Sequence, residues 1–162
     1  MKIELKNIKH SEFASHETNC YEATIYIDGK KAGVVSNDGH GGCDHVTPWE
    51  LAVEIDAYAK TLPKMSIGTG LNTIEAEQNH ETIFADIVAE WLHAKDLKRA
   101  LSRYVMFTRD DGRLYQSAGM KKDALAKYLS EPKLPEAIKS KEILNLMPFD
   151  KALQIYRQGA TA

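Results

Sequence analysis

Apolar and polar residues alternate through the first part of the chain, a pattern typical of strands with one buried face. Residues 2–8 and 20–28 both alternate in this way. Asp28 and Gly29 close the second stretch, and both tolerate the positive φ angles of a two-residue hairpin turn. Residues 30–36 are therefore expected to return as the antiparallel partner strand.

Later segments repeat their apolar residues every three or four positions, which indicates amphipathic helices. The first is predicted over 48–62, with Thr47 as its N-cap and Pro48 at its first helical position. The longest is predicted over 75–103, and Trp91 is expected among its core residues. We expect this long helix to pack across the sheet.

Glycines, prolines and acidic turn residues divide the rest of the chain. Residues 64–73 predict a loop, and the stretches YVMFTR and RLYQSA predict a second hairpin around an Asp-Asp-Gly turn. Three further helices are predicted, over residues 121–130, 135–146 and 150–158. This order of elements predicts one α+β domain over 1–162: a small antiparallel sheet of hairpins packed against a long central helix and further C-terminal helices.

The composition is that of an ordinary folded domain, with 43% hydrophobic and 27% charged residues in a chain of 162. It excludes a disordered chain and a disulfide-dense scaffold. No apolar run approaches the roughly 20 residues that cross a bilayer, so no membrane partner is expected. The start of the chain lacks the apolar segment of an export signal, and we expect a cytoplasmic protein.

Charge is distributed unevenly along the chain. Residues 1–90 contain 7 Lys or Arg and 15 Asp or Glu, a net charge of −8, whereas residues 91–162 contain 14 and 8, a net charge of +6. A basic patch lies near the end of the long predicted helix and consists of Lys95, Lys98, Arg99 and Arg103. These cations suit the helix dipole, or they face an anionic partner such as a nucleic acid.

The segment 37–45 carries most of the candidate chemistry. It combines three glycines with polar and ionisable residues: Asn37, Asp38, Gly39, His40, Gly41, Gly42, Cys43, Asp44 and His45. An uninterrupted hairpin would place Cys20 opposite Asn37, with His16 at the same end of the sheet. The sequence therefore predicts a cluster of His, Cys and Asp side chains around this loop.

Several interpretations of the 37–45 loop are open. His40, Cys43 and His45 are residue types that ligate zinc, although their spacing matches no known zinc motif. A glycine-rich loop that leads into a helix N-terminus also suits phosphate, and Cys43 beside a histidine suits nucleophilic catalysis. Alternatively the loop recognises a protein, or Asn37-Asp38-Gly39 forms a turn whose polar side chains cap backbone groups.

Two stretches, YEATIYIDGKKAGVVSNDGHGGCD and EWLHAKDLKRALSRYVMF, resemble small uncharacterised accessory proteins of phage and prophage genomes. The resemblance implies an accessory factor of a mobile element that acts on a host macromolecule by binding. It assigns no functional residue.

We therefore expect a non-enzymatic binding protein that contacts a host protein through the 37–45 loop and the basic patch, without a cofactor. The alternative is a small metal-dependent, hydrolase-like enzyme. In that alternative His40, Cys43 and His45 hold zinc, and Asp38 or Asp44 acts as the base.

Overall fold

A computed structural model describes residues 1–68 and 73–160, and its helices and strands form an α+β fold, as predicted. The chain divides into two compact units, unit 1 over Met1–Ala89 and unit 2 over Glu90–Ala162. Each unit is described by itself below, and the single domain over 1–162 stays a prediction. Within the described residues, no helix is long and apolar enough to cross a membrane.

Unit 1 contains a four-stranded antiparallel sheet in the order β1-β2-β3-β4. Its strands are β1 (Ile3–His10), β2 (Tyr21–Ile27), β3 (Lys30–Asn37) and β4 (His45–Thr47). Asp28 and Gly29 have φ angles of 49° and 80°, so the hairpin turn predicted between β2 and β3 is confirmed.

The register of this hairpin differs from the prediction by one residue beyond a bulge. Tyr26 pairs with Lys31 but Ile25 pairs with Gly33, which leaves Ala32 as the extra residue. Asn37 therefore lies opposite Tyr21, and the predicted pairing of Asn37 with Cys20 is wrong. The bulge brings Gly33 so close to β4 that an added Cβ would lie 2.4 Å from the carbonyl oxygen of Thr47.

The first helix, α1 (Glu50–Ala59), begins later than predicted. Thr47 is not its N-cap, because the residue ends β4 and pairs with Val34 of β3. Trp49 holds the cap position without a side-chain hydrogen bond. Strand pairing to β3 therefore outweighs the local capping preference of Thr47.

Two short strands, β5 (Met65–Ile67) and β6 (Ile74–Ala76), pair antiparallel where the sequence predicted a loop and the start of a helix. Residues 69–72 of that predicted loop lie outside the described residues. The long helix α2 (His80–Leu101) follows. Asn79 caps it, because its Oδ1 accepts the Thr82 N–H at 2.9 Å.

The core of unit 1 draws fully buried side chains from β2, β3, α1 and the first half of α2. They are Ile25, Val35, Ile55, Phe84 and Val88. Ile25 lies on the alternating stretch 20–28, and Ile55, Phe84 and Val88 follow the helical repeat of apolar residues, as predicted. Trp91, which lies beyond Ala89 and so belongs to unit 2, is only partly buried.

Unit 2 contains a three-stranded sheet in the order β8-β7-β9. Its strands are β7 (Met106–Thr108), β8 (Leu114–Gln116) and β9 (Glu142–Ile143), and its helices after α2 are α3 (Lys122–Leu129), α4 (Leu134–Ala137) and α5 (Phe149–Ala160). The predicted second hairpin is confirmed. The helix predicted over 135–146 is wrong, because Ile143 pairs with Phe107 of β7 and interrupts it.

A carboxylate fastens α1 to the start of α2. Asp56 Oδ1 accepts the backbone N–H of His80 at 2.7 Å, and His80 Nδ1 lies 2.7 Å from the same oxygen. Burial alone would raise the pKa of Asp56, but the backbone and side-chain hydrogen bonds from His80, the charge of that ring and the charge of Lys60 outweigh it. The pKa of Asp56 therefore lies below its ordinary value of 3.8.

We expect Asp56→Ala to lower the free energy of unfolding at pH 7 by about 1–2 kcal/mol, because the first N–H groups of α2 lose their acceptor. Since the folded-state pKa of Asp56 is lowered, its contribution is complete above pH 3.8 and declines as the pH falls further. Urea unfolding at several pH values measures both effects. Asp86→Ala removes an exposed acid of α2 and is the control. Equal losses of unfolding free energy in the two variants would contradict the role given to Asp56.

Candidate functional site

The side chain of Asn37 holds the 37–45 loop in place from the end of β3. Its Oδ1 accepts hydrogen bonds from the Thr18 hydroxyl at 2.8 Å and the Gly39 N–H at 2.9 Å. Its Nδ2 donates to the Gly42 carbonyl and to Asp44 Oδ1, each at 3.0 Å. Asn37 is 8% exposed, so both ends of its amide are satisfied inside the protein.

The turn predicted at the beginning of the loop is confirmed. The Gly39 N–H donates to Asn37 Oδ1, and the His40 N–H donates to Asp38 Oδ1 at 3.1 Å, so two successive side chains cap backbone groups. Gly39 has a φ of 87°, in the left-handed region. A Cβ at Gly39 would lie 2.1 Å from the Ala14 carbonyl oxygen, so the loop packs directly on an earlier segment.

That earlier segment, residues 11–18, is bound to the loop through the backbone. The Gly39 carbonyl accepts the N–H groups of His16 and Glu17, each at 3.0 Å. The rings of His16 and His40 are in contact, with their centroids 5.1 Å apart and their planes tilted by 42°. The prediction that His16 and the 37–45 loop share one end of the sheet is confirmed, and we call residues 11–18 and 37–45 the loop end.

Two carboxylates secure the far side of the loop. Asp44 Oδ2 accepts a hydrogen bond from the Tyr21 hydroxyl at 2.8 Å, and the Asp44 N–H donates to Glu81 Oε1 of α2 at 3.2 Å. Burial raises the pKa of Tyr21, and the neighbouring charges of Asp44 and Glu81 raise it further. The phenol therefore remains a hydrogen-bond donor at neutral pH. These side chains line a cleft of about 130 Å³.

Cys43 lies on the exposed surface of this region, and its surroundings oppose ionisation. A hydrogen bond to Glu81 and the charge of that carboxylate raise the pKa of the Cys43 thiol, and slight desolvation and the charge of Asp44 act in the same direction. Because the thiolate is the reactive form of cysteine, this environment is unsuited to the nucleophilic role considered above. Cys43 and Cys20 are both free thiols.

The residues considered as zinc ligands have different neighbours. His40 Nδ1 lies 3.0 Å from the Asp38 carbonyl oxygen, and Cys43 contacts Glu81. His45 is the first residue of β4 and pairs with Ser36 of β3. Over residues 1–68 and 73–160, no three His, Cys, Asp or Glu side chains are grouped so that they could hold a metal ion. The phosphate interpretation is wrong in its geometry, because β4 separates the loop from α1.

A larger cleft of about 490 Å³ lies beside the loop. Its lining includes the polar and ionisable side chains of Lys9, His10, Cys20, Asp38 and His45. His10 Nε2 lies 3.2 Å from Asn19 Oδ1 and 3.3 Å from the Ser15 hydroxyl. These contacts stabilise residues 11–20, because the same Ser15 hydroxyl also donates to the Ser11 carbonyl at 2.7 Å and accepts the Cys20 N–H at 2.8 Å.

Phe13 is a surface residue that the sequence analysis missed. It lies in a 3-10 turn over Glu12–Ala14, and its side chain is 94% exposed. A single phenylalanine between polar residues gives no signal in the sequence, because most such rings are buried. Its exposure follows from the hydrogen bonds that fix residues 11–18 to the loop.

The four residues of the basic patch are all exposed and belong to unit 2. Lys95, Lys98 and Arg99 lie in α2, and Arg103 lies in the turn after it. The 37–45 loop belongs to unit 1. The two predicted binding regions are therefore carried by different units.

Comparisons with protein-family models, curated proteins and solved structures found no match.

Replacement of Asn37 by aspartate tests the role of its amide. The new carboxylate would keep the acceptor for Gly39 but would place a negative charge against the Gly42 carbonyl and Asp44. We expect Asn37→Asp to lower the free energy of unfolding by about 2–4 kcal/mol, as measured by urea unfolding. Asn19→Asp is the control, since its Oδ1 faces His10 and the acid is tolerated there. A near-neutral Asn37→Asp would show that the amide does not organise the loop.

The raised pKa of Cys43 predicts slow alkylation. In a Cys20→Ala background, where Cys43 is the only cysteine, Glu81→Gln removes the main cause of the raised pKa. We expect this change to increase the rate of reaction with iodoacetamide at pH 7.5 several-fold, because a larger fraction of the thiol ionises. Glu17→Gln, at a loop-end acid that is not among the causes, serves as the control. An unchanged or slower rate in the Glu81→Gln variant contradicts the interpretation.

Proposed function

We propose that this protein is a non-enzymatic binding protein that contacts a partner protein through the loop end of unit 1. The observation that carries the proposal is the exposure of Phe13, 94%, on a segment that hydrogen bonds fix to the 37–45 loop. Aromatic side chains supply much of the energy of protein interfaces when a pocket on the partner encloses them.

Preorganisation supports this proposal. The Gly39 carbonyl accepts three backbone N–H groups from residues 16–18. The Ser11 N–H donates to the Cys20 carbonyl at 3.0 Å, and the Ser15 hydroxyl accepts the Cys20 N–H at 2.8 Å. The turn that carries Phe13 is therefore bonded at both ends in the free protein. A rigid surface loses less conformational entropy on binding than a flexible one, so even a small contact here gives useful affinity.

The charges of the loop end indicate the chemistry of the partner. Glu12, Glu17 and Asp38 are exposed on the same loop end that carries Phe13. Unit 1 as a whole contains 7 Lys or Arg against 14 Asp or Glu, a net charge of −7. A complementary partner surface presents an apolar pocket surrounded by basic residues. A nucleic acid is disfavoured at this site, because phosphates would meet carboxylates.

The same side chains argue against catalysis at the loop. Asp44, Glu81 and Asn37 are engaged in hydrogen bonds that hold the backbone, and the pKa of the Cys43 thiol is raised. No contact among the described residues favours the metal-dependent enzyme, which we keep as an outcome of the test below.

The setting of this activity rests on the sequence. The resemblance to phage and prophage proteins supports a role as an accessory factor of a mobile element that binds a host protein. The two free cysteines suit a reducing compartment such as the cytoplasm.

Affinity capture from a host lysate, followed by titration calorimetry with the purified partner, tests the proposal. We expect Phe13→Ala to weaken binding at least about tenfold, since it removes an enclosed aromatic contact, and to leave stability within about 0.5 kcal/mol because the ring is exposed. Val53→Ala, at an exposed apolar residue of α1, is the matched control and should bind normally.

Two results would overturn the proposal. One is a partner that binds wild type, Phe13→Ala and Val53→Ala equally well, which would place the interface elsewhere. The other is about one zinc per chain in protein purified without chelator, lost on His40→Ala, which would favour the metal-dependent enzyme.

A further inference from the structure

Unit 2 presents a row of cations that form no ion pair. Lys95, Lys98 and Arg99 are exposed along the last turns of α2, and Arg103 is exposed in the turn that follows Leu101. In the described part of the chain none of them has a carboxylate oxygen within 4 Å. The single acid between them is Asp96. Burial raises the pKa of Tyr156 on α5, and the charge of Asp96 raises it further. Unit 2 contains 14 Lys or Arg against 9 Asp or Glu, a net charge of +5.

Aromatic rings hold three of these four cations. Lys95 Nζ lies 5.1 Å from the centroid of the Trp91 ring, and Lys98 Nζ lies 5.1 Å from that of Phe149. The Arg103 guanidinium lies 5.9 Å from the Tyr104 ring. Such contacts restrict the long side chains before any partner arrives. Cations and aromatic rings therefore lie together around the C-terminal end of α2.

The spacing of the cations matches a polyanion with regularly placed charges. Lys95 and Arg99 lie four residues apart in α2, which corresponds to roughly 6 Å along a helix that rises about 1.5 Å per residue. One nucleic-acid strand carries about one phosphate per 3.4 Å of its axis. The three lysine and arginine side chains on the helix therefore match two or three consecutive phosphates, and Arg103 adds a fourth cation just beyond the helix end.

We propose that the basic patch at the C-terminal end of α2 binds single-stranded nucleic acid without sequence preference. The cations contact consecutive phosphates, and the partly exposed Trp91 ring stacks on an unpaired base beside them. Duplex DNA is disfavoured because its bases are already stacked on each other. This activity is separate from the protein contact proposed for unit 1, and neither depends on the other.

Trp91 supplies a direct readout. The chain has two tryptophans, so Trp49→Phe leaves Trp91 as the only one, and the probe is an oligothymidylate of about 20 nucleotides. We expect saturable quenching of the Trp91 emission at low salt. With four phosphate contacts the affinity should fall about 50-fold between roughly 50 and 200 mM salt.

Matched variants locate the surface. Lys98→Gln with Arg99→Gln removes two cations of the patch and should weaken binding at least about tenfold and halve the salt dependence. Lys30→Gln with Lys31→Gln removes the same charge from the exposed start of β3 in unit 1, and this variant should bind the oligonucleotide normally. Circular dichroism confirms that both variants fold.

Four results would overturn the proposal. They are the absence of saturable quenching at low salt, equal affinities in the two double variants, tighter binding of a duplex than of the single strand, and displacement of the oligonucleotide by polyglutamate as readily as by unlabelled oligothymidylate. The last would identify the patch as a site for acidic proteins.

Discussion

The amide of Asn37 is the constraint on which the rest of unit 1's loop end depends. Its oxygen accepts from Thr18 and Gly39, and its nitrogen donates to Gly42 and Asp44. Because the side chain is buried, any other path of the loop would leave several polar groups unpaired away from water, each at a cost of about 1–3 kcal/mol. The loop therefore has one strongly preferred conformation.

This constraint determines what the loop can do chemically. Asp44 and Glu81 accept hydrogen bonds from the Tyr21 hydroxyl and from a backbone N–H, and Glu81 raises the pKa of the Cys43 thiol. The exposed ring of Phe13, on the hydrogen-bonded loop end, is then the feature best suited to a contact. Together with the opposite charges of the two units, this favours a protein that works by contact, with a protein at unit 1 and an anionic strand at unit 2.

Local patterns in the sequence predicted the elements better than their connections. The Asp28-Gly29 turn, the helical repeat of apolar residues in α2 and the turn at Asn37 followed from short-range chemistry, whereas Trp91, expected in the core, is only partly buried. The bulge at Ala32, the pairing of Thr47 with Val34 and the pairing of Ile143 with Phe107 depend on partners distant in the chain. No local signal reports those partners. The exposure of Phe13 could not be predicted for the same reason.

Native-state hydrogen exchange at the Gly39 amide tests the central claim most directly, because this N–H donates to the buried Asn37 side chain. The account predicts that Gly39 exchanges as slowly as amides in the centre of β2 and opens only when unit 1 unfolds. Exchange near the rate of an unstructured peptide, while β2 stays protected, would show that the loop is not held and would contradict the account.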